Sequence, residues 1–143
     1  MTQEEKQLLL SDLCARLPYG VMVHLEFQPG HGYQIGKLEI RNFWDIVRHF
    51  ENEIIATIKP YLRPMSSMTE EEFESLKKYT GLEYEQLELK DWENNHRTLE
   101  FYLNEVPHYV VILVFDWLNA HHFDYRGLIE KGLALEAPKE MYE

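Results

Sequence analysis

The densest group of side chains able to bind a metal or move a proton is Asp116, His121, His122 and Asp124. Imidazoles beside carboxylates are what a metal-assisted hydrolase needs, with protein ligands holding a divalent ion and an open position where bound water becomes the nucleophile. The spacing argues against that reading. Residues five apart on a helix are separated by about 500°, roughly 140° from alignment, so Asp116 and His121 do not share a face. A dinuclear-metal phosphohydrolase can use an adjacent His-Asp pair, but Phe123 separates His122 from Asp124, and no further spaced His or carboxylate motif follows. A helix end accounts for the group more simply: histidine near the C-terminus complements the dipole and Asp124 caps the next helix. No metal and no cofactor are expected. If an ion binds, its ligands are His121, His122 and Asp124.

Other chemistry is thinner. Cys14, the single cysteine, sits mid-helix with no strand-turn-helix elbow, so a buried structural thiol is expected rather than a nucleophile. His24 alternates onto the less apolar face of a strand, and His31 lies in a glycine-flanked loop that reads as a solvated turn. Gly30-His31-Gly32 lacks the flanking glycines, the Lys-Ser/Thr pair and the following helix of a phosphate-binding loop.

Two segments suit a protein partner instead. In the loop 59–68, Tyr61, Arg63, Met65 and Met68 set an aromatic, a fixed cation and adaptable thioethers on backbone stiffened by Pro60 and Pro64, a composition suited to partner binding. The competing reading is a linker packing its own apolar residues on the core. The acidic stretch from Glu70 to Glu105, including Glu83, Glu85, Glu88 and Asp91, could imitate a phosphate backbone and occupy a basic cleft, or be a solvated face.

Composition narrows the classes. The 143 residues suffice for one compact domain, and 45% hydrophobic with 13% aromatic residues is a folding composition. A net charge of −11 repels phosphate backbones and anionic lipid, so neither nucleic acid nor membrane is an expected partner. The charge is uneven: residues 1–66 hold seven basic and eight acidic side chains, whereas 67–143 hold seven and seventeen. That shift places a candidate internal boundary at the proline loop. One cysteine excludes an internal disulfide and suits a reducing compartment. The acidic, amphipathic start has no leader character, and the longest apolar run, Tyr109 to Phe115, is far below the roughly 20 residues a membrane helix needs.

The elements follow from periodicity. Thr2 and Glu5 form a capping box ahead of Leu9, Leu10, Leu13 and Leu17, predicting a helix over 3–16 that Pro18 and Gly20 end. Val21, Val23, Leu25 and Phe27 then alternate with polar residues as a strand, turning through Gln28 to Gly32 into a second strand over 33–40, where Gly36 suggests a bulge or close approach. Phe43, Ile46, Val47 and Phe50 favour a helix over a short strand, and 54–58 reads as a third strand. Thr69 caps a helix ending at Gly81. Leu87 and Leu89, then 98–103, read as strands about an Asn94-Asn95 turn. After Pro107 the run through His121 is a helix, or else a buried strand to Phe115, with length and the Trp117-Leu118 pair favouring helix. A short helix over 125–131 closed by Gly132 and a loosely held tail over 136–143 complete the expectation.

Three strings, DLCARLPYGV at 12–21, IKPYLRPMSSMTE at 58–70 and DWLNAHHFDYRGLIEKGLA at 116–134, resemble a family of small uncharacterised proteins of gut anaerobic bacteria and their phages or mobile elements. The resemblance implies a bacterial, cytoplasmic, phage-associated origin and transfers no activity or site. The expected architecture is α+β: an N-terminal helix, a small antiparallel sheet, and a more helical acidic second half packed on it. The leading functional expectation is a non-enzymatic module binding another protein. The acidic mimic and a His/Asp hydrolase are its alternatives, and the oligomeric state is left open.

Overall fold

The computed structural model describes residues 1–28, 30–82, 87–92, 96–101 and 106–143. The Asn94-Asn95 turn and the carboxylates Glu83 and Glu85 lie outside them. The fold is α+β and divides into two compact units, Met1–Arg63 with Arg126–Glu143, and Pro64–Tyr125, the division falling inside the 59–68 segment.

The first unit starts with α1 (Gln3–Arg16). Its capping box is reciprocal: the Glu5 amide donates to Thr2 Oγ1 at 3.1 Å and the Thr2 amide to Glu5 Oε2 at 2.8 Å, satisfying amides that have no partner within the helix. Leu9 and Leu13 are fully buried. Cys14 lies off that stripe and is exposed, contrary to the buried thiol expected. A single 3-10 turn, Leu17–Tyr19, ends at Gly20, whose φ of 68° suits glycine; the Lys37 side chain crosses where a Cβ would stand.

Strands β1 (Met22–Phe27) and β2 (Tyr33–Lys37) form an antiparallel hairpin, and β3 (Ile55–Pro64) pairs antiparallel with β1 on its other side. The alternation read at Val21, Val23 and Leu25 is the core-facing row. Gly36 lies in regular register opposite Val23 with open space around it, so it marks no bulge; the irregularity is between Glu26 and Phe27. Between the hairpin and β3 runs α2 (Ile40–Glu51), the helical reading of that ambiguous stretch. The late strand β7 (Leu135–Glu136) joins β3 in parallel at Tyr61 and Leu62. These elements enclose a core that includes Leu9, Leu13, Val21, Val23, Ile58, Leu62 and Leu128. At about 1.5–3 kcal/mol for each large apolar side chain taken out of water, such a cluster is the chief stabilising term.

Two expectations in this unit change. Residues 125–131 form turns rather than a helix, because Gly127 adopts φ 73° and interrupts right-handed helix, while Leu133 closes back on the Leu128 carbonyl. The tail expected to be loose is tied down: the Ala137 amide donates to the Leu62 carbonyl at 2.8 Å, and the Tyr142 hydroxyl is bonded to two strands.

In the second unit a 3-10 turn, Met65–Ser67, precedes α3 (Glu70–Thr80), capped by Thr69 with Glu72 and stopped by Gly81 at φ 73°. Next come the antiparallel pair β4 (Leu87–Trp92) and β5 (His96–Phe101), α4 (His108–Ala120) with Pro107 as its N-cap, and the two-residue β6 (Phe123–Asp124). Met68, Phe73, Leu76, Leu87, Val114 and Phe123 lie in this unit's own core.

Candidate functional site

The four residues read as a partner surface differ in burial and belong to two units. Pro60 and Pro64 hold extended backbone as expected, but extended backbone beside β1 pairs as a strand, and strand residues are drawn into packing. Tyr61 is buried in the first unit and Met68 in the core of the second, while Arg63 and Met65 are half-buried. Tyr61 and Met68 thus take the packing role of the competing linker reading, each within its own unit.

The C-terminal histidine group is likewise dispersed into structural roles. His121 caps α4: its Nδ1–H donates to the Trp117 carbonyl at 2.8 Å and its ring stacks on the Trp117 indole at 3.9 Å. His122 turns the chain at φ 65° and is buried, and Asp124 is buried in β6. Among the described residues no three His, Cys, Asp or Glu side chains converge on a common ion position. On the acidic β4–β5 strand pair, Asp91 is held by Arg97, with Nε–Oδ1 at 2.5 Å and Nη2–Oδ2 at 3.2 Å, and Glu100 lies 3.8 Å from Lys90. Carboxylates neutralised by cross-strand cations present a weaker phosphate-like field than a bare acidic row.

Polar clusters that the sequence did not announce lie in the first unit. Asp12, fully buried on α1, accepts Arg16 Nε on Oδ2 and Arg126 Nη1 on Oδ1, each at 2.8 Å. The Tyr142 hydroxyl accepts from the Met22 amide at 2.9 Å and donates to the Tyr61 carbonyl at 2.7 Å. Burial pushes its pKa up to about 12, outweighing the opposing pull of the Met22 amide and the Arg16 charge. A hydroxyl so committed holds strands and moves no proton near neutrality. On the outer sheet face His24 sits between the Tyr61 hydroxyl and Glu26 Oε1, each at 3.3 Å, with its ring stacked on Tyr33 at 5.0 Å.

What the first unit leaves to solvent is apolar and grouped. On α2, Phe43, Ile46 and Phe50 pack against the core, yet Ile40 and Trp44 are 76% and 77% exposed. At about 100° per residue these five apolar side chains span a wider arc than the core covers, and its far edge faces water. Beside them an open, shallow groove runs between Leu17–Gly20 and Lys37–Arg41. Ile40 belongs to both features. The signal was present in sequence as a Trp four residues after an Ile, but the ambiguity between strand and helix over 43–50 hid it.

Compared with protein-family models, with curated proteins and with solved structures, the chain matches none.

Proposed function

We propose that the chain is a non-enzymatic protein-interaction module that binds another protein in the cytoplasm, using the Ile40 and Trp44 edge of α2 and the adjoining groove. The observation that carries this reading is the exposed Trp44. Beyond an edge contact with Phe43 at 5.8 Å the Trp44 ring stands mostly in water, whereas on a partner it supplies the large rigid contact that dominates interface energies. The groove is open and shallow, which suits an apolar side chain of a protein segment better than an enclosed small molecule. No helix among the described residues is long and apolar enough to cross a membrane.

A photo-crosslinking residue placed at position 41, which is exposed and lines the groove, leaves Trp44 in place and tests this in cells on the full chain. A discrete crosslinked partner is expected, lost when Ile40→Glu is added, while folding is unaffected because both positions are exposed. Crosslinking that is absent, or that Ile40→Glu leaves unchanged, would reject the reading.

A further inference from the structure

The hairpin has an open side. Among the described residues β2 pairs with β1 alone, and it ends the order β2-β1-β3. Which of its backbone groups are open follows from the bonds flanking the pair. The Phe27 amide donates to the Gly32 carbonyl at 3.0 Å, and the Leu38 amide to the Val21 carbonyl at 2.9 Å; both join residues directly opposite in the register. Antiparallel ladders bond every second residue, so Gly32, Gln34, Gly36 and Leu38 face β1. The amides and carbonyls of Tyr33, Ile35 and Lys37 therefore point outward, a template for another strand. Of these groups the Lys37 carbonyl accepts from Asn42 Nδ2 at 3.1 Å, and a carbonyl oxygen has two lone pairs with which to accept.

The side chains on that edge are apolar and held in place. Tyr33 is 66% and Ile35 49% exposed, and the Tyr33 ring is fixed by its stack on His24. Lys37 is the strand's single charge.

We propose that β2 pairs antiparallel with β2 of a second copy of this chain, about a two-fold axis at Ile35. The outward groups are self-complementary in this register. Ile35 of each copy exchanges both bonds with Ile35 of the other, and Lys37 of each donates to the Tyr33 carbonyl opposite. Tyr33 faces Lys37 across the ladder, so the one cation of each strand never meets its own kind, and the two isoleucines pack at the centre. A register one step away would set Lys37 against a different neighbour and turn the outward bonds out of phase. Five residues per copy make a small interface, so the dimer dissociates on dilution.

Sedimentation equilibrium on the full chain, from micromolar to millimolar concentration, tests the pairing. Wild-type chain is expected to show a reversible monomer–dimer equilibrium. Ile35→Lys and Ile35→Glu, which place like charges at the two-fold, should each weaken dimerisation tenfold or more, and an equimolar mixture of the two should restore it. Far-UV circular dichroism checks the fold. Should Ile35→Lys unfold, Tyr33→Lys opposes two ammonium groups in the same ladder at a more exposed position and should weaken the dimer equally. Trp44→Glu is expected to leave the dimer intact, which separates this edge from the α2 surface. A wild-type chain that stays monomeric at millimolar concentration, a dimer indifferent to the charged substitutions, or one abolished by Trp44→Glu would overturn the proposal.

Discussion

Asp12 Oδ1 lies 2.8 Å from Arg126 Nη1, a bond across 114 residues that ties the first helix to the segment returning to the first unit. The other oxygen of the same carboxylate holds Arg16 one helical turn away, so one buried anion serves two guanidiniums. A carboxylate without water is tolerated only when its oxygens are taken, and here they are.

Asp12→Asn keeps the shape and removes the carboxylate charge that the fully buried Arg16 meets at 2.8 Å. A loss of about 3–5 kcal/mol is expected, the cost of breaking a buried pair by deleting one partner, measured by urea denaturation. Arg126, whose side chain is part-exposed, should cost less when cut to alanine because water can replace part of what is lost. Equal losses for the two variants would mean that the burial of Arg16 is not what makes the cluster costly to break.

Tyr142→Phe deletes one donor and one acceptor, leaving the Met22 amide and the Tyr61 carbonyl to find other partners. The expected cost is about 1–2 kcal/mol. The pH dependence carries the signature. The folded hydroxyl titrates at about 12 against an ordinary 10.0, so the native state keeps a proton that the unfolded chain loses. Tyr142's contribution is therefore full below pH 10 and declines as pH rises through about 12. Denaturation midpoints across that window should fall more steeply for wild type than for Tyr142→Phe.

Asp91 should titrate below the ordinary 3.8, chiefly because the Arg97 side chain donates to its carboxylate. A lowered folded pKa means that the pair's contribution is present above the ordinary value and is lost as pH falls through the folded one. The carboxylate stands in water, so the contribution is small, and a carbon-detected NMR titration is the apt measurement. Arg97→Ala should return Asp91 to the ordinary range, and it also removes the Arg97 bond to the Met68 carbonyl. An unchanged titration would mean that the pair does not persist in solution.

The sequence by itself determined whatever depends on near neighbours. The Thr2–Glu5 and Thr69–Glu72 boxes, the stop at Gly81 and the alternation of Val21, Val23 and Leu25 all rest on contacts two to four residues long, and each stands in the structure as its residues required. Where two local readings competed, over 43–50 and 109–115, helix prevailed in both, because apolar stripes there had somewhere to pack. Only the tertiary structure decided the rest. Nothing local marked Asp12 and Arg126 as a pair, Tyr142 looked like part of a loose tail, and Tyr61 with Met68 like one sticky loop. Their fates turn on partners dozens to more than a hundred positions away, and no local pattern records which segments come together. The α2 edge shows the same limit from the other side. Periodicity identified Phe43, Ile46 and Phe50, but Ile40 was read as the end of the second strand and instead opens α2, and whether it and Trp44 met the core or water depended on how wide a stripe the core could cover, a property of the packed fold and not of the helix.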